Sequence, residues 1–222
     1  LEALAEELVV EDVSRLRLLV LGKSFQGRIP DAVCGLPDDL SPTHILLDGR
    51  VPENMSSWMD DLRSVLEELS MNGCELETLP LSNNGEMQEL RVLCASRNSL
   101  RSMPNVSMAL RHVVHLDLSE NRLVGVPQEV AHLEKLERAI FSRNQISSVS
   151  ASVGSLTSLR RLALDHNHLS VIPSSLAGLT NLEELLLGNN RLSTLPGDLH
   201  WKSLRKLLLG NNMLTSVPVS LC

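Results

Sequence analysis

Aromatic side chains are scarce in this chain of 222 residues, since they make up 2% of the sequence and include no Tyr. Proteins that bind single-stranded nucleic acid stack the bases on aromatic rings and attract the phosphates with basic side chains. A chain with so few rings and a formal net charge of −7 is therefore a poor candidate for nucleic-acid binding. No apolar run approaches the roughly 18 residues that a membrane-spanning helix needs, so we expect no membrane span either.

Cysteine is also scarce, and its placement argues against a disulfide framework. Cys34, Cys74, Cys94 and Cys222 are scattered singly, with no C-x-x-C motif and no terminal cluster. Extracellular domains that depend on disulfides usually have closely spaced cysteines. We therefore expect a reducing compartment and a cytoplasmic location. The chain starts at Leu1 with no apolar leader, which suggests a piece of a longer protein.

The abundant feature is leucine at a regular spacing. Units begin at residues 66, 90, 113, 136, 159, 182 and 204, so that successive starts are 22 to 24 residues apart. Two weaker units fit upstream, one from Leu16 and one near Pro42, which makes about nine in all. A unit of this length cannot bury its own apolar side and must stack on its neighbours. The repeat therefore predicts a solenoid with one continuous core.

Each position of the unit has a structural role. The apolar residues at positions 1, 4, 6 and 11 are expected to point into the core, whereas positions 3, 5 and 7 alternate outward along a short strand. Position 9 is predicted to hold a buried Asn whose carboxamide bonds the backbone of its own turn and of the next. This ladder comprises Asn98, Asn121, Asn144, Asn167, Asn190 and Asn212.

The pattern L-x-x-L-x-L-x-x-N-x-L-x-x-L-P-x-x-L-x-x-L-x-x resembles the intracellular class of leucine-rich repeats, as in proteins of the Ras-suppressor, Scribble and erbin type. The resemblance is close over Leu66 to Cys222 and weak over Leu16 to Val65. It implies an α/β leucine-rich repeat solenoid, a right-handed superhelix with a parallel concave β-sheet and with short helices or 3-10 turns on the convex side. It also implies a non-catalytic scaffold whose concave sheet binds a protein.

The chain is predicted to have three parts. Residues 1–15 are amphipathic and form either an N-terminal cap or the end of a preceding repeat. Residues 16–65 hold two irregular repeats, and we expect a convex helix in the second of them, starting near Ser56. Residues 66–222 hold seven regular repeats, of which the last is truncated.

One regular unit departs from the pattern. In the unit that begins at Leu136, Ser150 stands where Pro is usual, and Ala139 and Phe141 replace two strand leucines. We expect this unit to be repacked locally.

The outward side chains of the predicted sheet form the candidate binding surface. In the middle repeats they include a basic patch centred on Arg138, and towards the C-terminal end the position-5 column becomes apolar. The predicted surface comprises His115, Asp117, Arg138, Ile140, Arg143, Arg161, Ala163, His166, Glu184, Leu186, Lys206 and Leu208. A basic patch beside an apolar stripe suits a protein or peptide that offers acidic and apolar groups. The alternative is a merely soluble sheet face whose charges alternate across the strands.

No catalytic, cofactor or metal site is predicted. His166 and His168 flank a buried Asn in a turn, and no Cys or Glu has the spacing that a metal site would need. No G-x-S-x-G motif is present, and Gly22-Lys23-Ser24 lacks the earlier Gly of a phosphate-binding loop.

Two functions remain from this reasoning. The first is an intracellular interaction module of a signalling or scaffold protein, which is not itself an enzyme. The second is the substrate-recognition or regulatory arm of a larger enzyme, such as a phosphatase, a kinase or a small-GTPase protein, whose catalytic domain lies outside this chain.

Overall fold

The computed structural model describes most of the chain from the second repeat onward. The described residues are 18–21, 44–47, 49, 51, 55–81, 85–103, 109–216 and 218. The predicted cap at residues 1–15 and the end of the last unit at residues 219–222 lie outside them.

Among the described residues, nine short strands form one parallel sheet in which the order of the strands is their order along the chain. They are β1 (Leu18–Leu21), β2 (His44–Leu47), β3 (Glu68–Ser70), β4 (Val92–Cys94), β5 (His115–Asp117), β6 (Arg138–Ile140), β7 (Arg161–Ala163), β8 (Glu184–Leu186) and β9 (Lys206–Leu208). Each repeat thus contributes one strand, which pairs with the strands of the repeats before and after it, as in a solenoid. The predicted parallel sheet is confirmed.

The core lies behind the sheet because alternate strand residues point into it. The central residue of each strand from β3 to β8 is at most 1% exposed, and these residues are Leu69, Leu93, Leu116, Ala139, Leu162 and Leu185. Since a three-residue strand turns only its middle side chain inward, the two flanking positions face the other side of the sheet.

Short helices cover the other side of the core. Helix α1 (Met55–Asp61) lies in the second repeat, and 3-10 helices span Gln128–His132, Ala151–Ser155 and Ser174–Gly178. Each 3-10 helix buries one apolar side chain, as Val153 does in the second of them. These elements confirm the predicted convex side.

The irregular unit that begins at Leu136 keeps the register of the sheet. Ala139 pairs with Leu116 on one side and with Leu162 on the other, as its leucine counterparts do. Phe141, two residues later, is fully buried and is the largest such side chain among the described residues.

Serine replaces proline in this unit by a different physical means. Pro127 and Pro173 precede the neighbouring 3-10 helices without a side-chain cap. At the equivalent place, the Ser150 hydroxyl accepts a hydrogen bond from the N–H of Ser152 at 3.4 Å. A weak side-chain cap thus takes the place of the φ angle that proline fixes in the neighbouring repeats.

The asparagines of position 9 form a ladder that joins each turn to the preceding one. Asn121 donates from Nδ2 to the carbonyl of Ala95 at 2.9 Å and to that of Leu118 at 3.1 Å. Its Oδ1 accepts from the N–H of Leu100 at 3.0 Å. Ala95 and Leu100 belong to the repeat before it, so the prediction of a bond to the next repeat was wrong in direction. The stagger of the parallel turns places the carboxamide against the turn that came earlier in the chain.

The same backward contacts recur in the other repeats. The Oδ1 atom accepts from the backbone of the preceding repeat in Asn98, Asn121, Asn144, Asn167, Asn190 and Asn212. Cys74 holds this position in an earlier repeat, where its thiol lies 3.6 Å from the carbonyl of Leu47. Sulfur is a weak donor, so this rung of the ladder is the weaker one.

Candidate functional site

We define the concave face as the outward side chains of β3 to β9 with the residues that border them. Its two columns differ in exposure. The first strand residues, at position 3, are partly or largely exposed in every strand from β3 to β9. The third residues, at position 5, range from buried to exposed, so the sequence pattern overstated the accessibility of this column.

The predicted apolar stripe is interrupted. Ala163 is 1% exposed and Leu186 is 9% exposed, whereas Leu208 is 48% exposed. In the sheet Ala163 lies between Ile140 and Leu186, and its single methyl group is hidden between these two larger side chains. Leu208 lies on β9, at the edge of the described sheet, and has a strand neighbour on one side only. The expectation that Ala163 and Leu186 offer exposed apolar surface was therefore wrong.

The predicted basic patch divides into two groups. A depression of about 270 Å³ in the concave face is lined by His115, Arg138, Ile140, Arg160, Arg161, Glu183 and Glu184. Arg143 and His166 do not line it, because they lie in the turns that follow β6 and β7. The patch is thus split between the amino-terminal ends of the strands and the turns beyond their carboxyl-terminal ends.

Position 2 carries an ion-pair ladder that the sequence analysis missed. Arg160 lies 3.7 Å from Glu137 and 2.7 Å from Glu183. Arg205 lies 3.8 Å from Glu183. The signal in the sequence was that Glu and Arg alternate at position 2 from one repeat to the next. In a parallel sheet this alternation brings opposite charges side by side.

Arg138 lacks such a partner. In the adjoining column Arg161 reaches Glu184 at 2.7 Å. Arg138 has His115 and Arg161 as its strand neighbours, and within the described part of the chain it makes no ion pair. Its guanidinium is exposed and remains a free cation on this face.

His115 is held in its neutral form by its surroundings. Burial lowers the pKa of His115, and the charge of Arg138 acts in the same direction, although the carboxylate of Asp117 opposes them. The Nε2 atom of His115 is buried and has no hydrogen-bond partner among the residues that the structure describes.

Cys94 is partly exposed, yet its surroundings make it a poor nucleophile. Burial raises the pKa of the Cys94 thiol to about 11, and the negative charges of Asp117 and Glu68 act in the same direction. Since the thiolate is the reactive form, this thiol is almost fully protonated at neutral pH.

Three further charged residues of the predicted surface, Glu184, Lys206 and Asp117, lie in different settings. Glu184 is engaged by Arg161 at 2.7 Å. Lys206 is exposed at the start of β9. Asp117 accepts a hydrogen bond at Oδ1 from the N–H of Ser119 at 2.9 Å, which fixes the turn after β5.

Serine, aspartate and histidine meet at one place, but not in a catalytic order. The Ser142 hydroxyl donates to Oδ1 of Asp165 at 2.6 Å, and Nδ1 of His166 lies 2.9 Å from Oδ2 of the same carboxylate. In a catalytic triad the histidine must contact the serine hydroxyl to take its proton. Here the carboxylate stands between them, so this arrangement orders the turn and does not activate the serine.

No cluster of three His, Cys, Asp or Glu side chains in the described residues has the geometry to hold a metal ion. No helix in the same residues is long and apolar enough to cross a membrane.

The turn residue before each ladder asparagine has an unusual backbone conformation that the sequence analysis did not foresee. The φ angle is positive, between 53° and 57°, at Arg97, Glu120, Arg143, His166, Asn189 and Asn211. Only Gly adopts this left-handed region freely, and Asn tolerates it better than most other residues. The signal was Gly73 at the same position of an earlier repeat, with a φ angle of 66°.

Comparison with known proteins identifies the repeat. The family model described as leucine rich repeat matches residues 111–169, 135–192 and 157–214. No curated protein matches the chain.

Several solved structures have the same fold. A leucine-rich repeat protein of Leptospira interrogans superimposes with a TM-score of 0.75 over 95% of this chain and 59% of its own, at 24% identity. The leucine-rich repeat ectodomain of the plant membrane receptor kinase GASSHO1/SCHENGEN3 from Arabidopsis thaliana superimposes with a TM-score of 0.66, at 30% identity, over 86% of this chain and 23% of its own. A TDR receptor has a TM-score of 0.67 and 28% identity over 91% of this chain and 35% of its own.

The chain spans only part of the length of each of these proteins, 59% of the first and smaller shares of the other two. Leucine-rich repeat domains generally mediate protein–protein interaction and are typically not enzymes. The nine-stranded parallel sheet of the described residues, the convex 3-10 turns and these comparisons together show that residues 111–214 match leucine-rich repeats and that the chain has the leucine-rich repeat fold.

Proposed function

We propose that the concave face from β5 to β9 binds another protein through a segment that carries acidic and apolar groups. The observation that supports this most strongly is the cation of Arg138, which makes no ion pair with the described residues and lines a depression whose carboxylates are already paired. The exposed Leu208 adds an apolar contact on the same face. An interface needs both, since apolar area supplies affinity and charge supplies orientation.

The alternative of a merely soluble face explains only part of this surface. Glu137, Arg160, Glu183 and Arg205 alternate in sign along position 2, as that alternative requires. The position-3 column does not alternate in this way at Arg138, because both of its strand neighbours there are basic or neutral. The positive charge of Arg138 beside that of Arg161 is unfavourable in the free protein. A partner whose negative charge compensates Arg138 would explain why this arrangement is present.

The wider setting is also a proposal. The 23-residue unit resembles that of the Ras-suppressor, Scribble and erbin type, so we propose an intracellular scaffold or signalling protein, located in the cytoplasm. The absence of closely spaced cysteines in the sequence supports a reducing compartment. The ectodomain of GASSHO1/SCHENGEN3 was solved in complex with CASPARIAN STRIP INTEGRITY FACTOR 2, which supports a binding role for a solenoid of this fold.

The test compares two exposed apolar residues on different surfaces. Leu208 lies on the concave face and is 48% exposed, whereas Val171 lies outside the sheet and is 57% exposed. Tagged wild-type chain, Leu208→Glu and Val171→Glu are each used to capture proteins from lysate, and the bound proteins are quantified by mass spectrometry. Both variants should show the circular dichroism spectrum of the wild type.

We expect Leu208→Glu to lose proteins that the wild type and Val171→Glu both retain. Leu186 is unsuitable for this test, because it is 9% exposed and a glutamate there would disturb the packing of the sheet. Retention of the same proteins by Leu208→Glu, with loss by Val171→Glu, would show that a different surface binds.

A further inference from the structure

We propose that the depression between β5 and β8 is a carboxylate-binding subsite that receives a glutamate or aspartate side chain of the bound protein. This inference rests on the proposed function, because it names the chemical group that the same face recognises. The depression has a volume of about 270 Å³, and its lining residues come from four consecutive strands or the residues just before them.

The charge of the lining favours a group with one negative charge. Three arginines and two glutamates line the depression. Glu183 is paired with Arg160, and Glu184 with Arg161, both at 2.7 Å. The positive charge of Arg138 is thus left over. A carboxylate balances it, whereas a phosphate dianion would bring an excess of negative charge next to the two glutamates.

Two nitrogen atoms of the lining residues also have no hydrogen-bond partner among the described residues. The Nε atom of Arg161 and the Nε2 atom of His115 are buried and have no partner in the described part of the chain. An arginine Nε–H is always a donor, and a buried donor without an acceptor is unfavourable. A carboxylate brings two oxygen atoms, and arginine is the side chain best suited to bind them.

The depression offers an apolar contact as well. Ile140 lies on β6 in the same strand as Arg138 and is half-buried in the lining. The methylene groups of an entering glutamate can pack on it while the carboxylate meets the guanidinium. An acidic side chain on a bound segment therefore fits both the polar and the apolar parts of the depression.

Arg143 provides a matched control on the same face. Like Arg138, it is exposed and makes no ion pair within residues 55–81, 85–103 and 109–216. It does not line the depression. Replacing either arginine by glutamine removes one positive charge, so only a local effect distinguishes the two variants.

The test is an NMR titration of the full chain with three small probes. These are the blocked amino acids N-acetylglutamate amide, its uncharged analogue N-acetylglutamine amide, and N-acetylphosphoserine amide. The signals followed are the backbone amides of β6 and β7 and the imidazole of His115. We expect saturable shifts with the glutamate probe and binding weaker by about fivefold or more with the glutamine probe.

The variants then locate the subsite. Arg138→Gln should weaken binding of the glutamate probe by about fivefold or more, whereas Arg143→Gln should change it by less than about twofold. Glu184→Gln should strengthen binding, because it releases Arg161 from its partner. The imidazole pKa of His115 should rise when the probe binds.

Three results would overturn the subsite. They are equal binding of the glutamate and glutamine probes, equal loss in Arg138→Gln and Arg143→Gln, and tighter binding of the phosphoserine probe than of the glutamate probe. The titration needs no partner protein. If the titration fails while Leu208→Glu still loses captured proteins, the subsite is wrong and the proposed function stands. If the titration succeeds while Leu208→Glu loses no captured proteins, the depression binds carboxylates but the proposed function is wrong.

Discussion

The N–H of Leu123 donates a hydrogen bond to Oδ1 of Asn144 at 3.0 Å, although the two residues belong to different repeats. Asn144 also donates from Nδ2 to the carbonyl of Leu118 at 2.9 Å and to that of Phe141 at 3.0 Å. One buried side chain thus satisfies backbone groups of two turns where no strand or helix can do so. The ladder is therefore a part of what holds neighbouring repeats together.

Replacing this asparagine should be costly. Asn144→Ala leaves the buried backbone N–H of Leu123 without its acceptor and removes one of the two donors to each of the carbonyls of Leu118 and Phe141, which keep Asn121 and Asn167 as partners. We expect a loss of about 2–4 kcal/mol in the free energy of unfolding. Urea denaturation followed by circular dichroism measures it. The control is Gln145→Ala at the next, exposed residue, which should change stability by about 0.5 kcal/mol or less. Equal effects of the two variants would contradict the role of the ladder.

Glycine is required where two 3-10 helices meet. A Cβ atom on Gly154 would collide with the carbonyl oxygen of Ser175, whereas one on Gly197 would meet nothing within 4 Å. We expect Gly154→Ala to lower the free energy of unfolding by about 1–3 kcal/mol, because the backbone of the next repeat must move.

The matched variant is Gly197→Ala, which should be neutral or slightly stabilising. Thermal unfolding of the two variants beside the wild type decides the matter. If Gly154→Ala melts at the wild-type temperature, the helices are not packed as closely as the structure shows.

Relief of the left-handed turn should stabilise the chain. Arg143 has a φ angle of 56°. Because asparagine tolerates this conformation, Arg143→Asn should raise the free energy of unfolding by about 0.5–1 kcal/mol. The same change at Arg122, an exposed residue without a positive φ angle, should give no gain. A gain of equal size at Arg122 would show that lost charge, and not backbone conformation, is responsible.

The thiol of Cys94 should react slowly with alkylating agents. Its pKa of about 11 leaves little thiolate at pH 8. The rate of carbamidomethylation by iodoacetamide, followed by peptide mass spectrometry, should therefore rise steeply between pH 8 and the region of pH 11. In urea the same peptide should react with the pKa of about 8.5 that is ordinary for cysteine. Rapid modification of the folded chain at pH 8 would contradict the raised pKa.

The spacing of the leucines was enough to predict the solenoid, because stacked units can bury an apolar position only if it recurs in every repeat. The strand starts at Glu68, Val92 and His115 fall where the repeat places position 3. The ladder asparagines were predictable for the same reason. The direction of their bonds was not, since it depends on the stagger between turns, which leaves no trace in one sequence.

Features of the candidate site that depend on neighbours were harder to predict. Whether Leu186 is exposed depends on the side chains beside it in the sheet. The residue types at position 5 do not by themselves show how far those neighbours cover it. The pairing of Arg161 with Glu184 follows from the register. Arg138 makes no ion pair within the described residues because its direct partners on the adjacent strands are His115 and Arg161, neither of which is a carboxylate. Each residue had been named, but the division of the basic patch into two groups required the structure.

Site-specific photo-crosslinking tests the central claim most directly. A benzophenone amino acid is placed at Lys206, exposed on the concave face, and in a second protein at Ser152, exposed in the 3-10 helix Ala151–Ser155 on the other side of the core. After capture of bound proteins and irradiation, adducts are counted by mass spectrometry. The account predicts adducts from position 206 and none above background from position 152. Adducts from position 152 alone would contradict it.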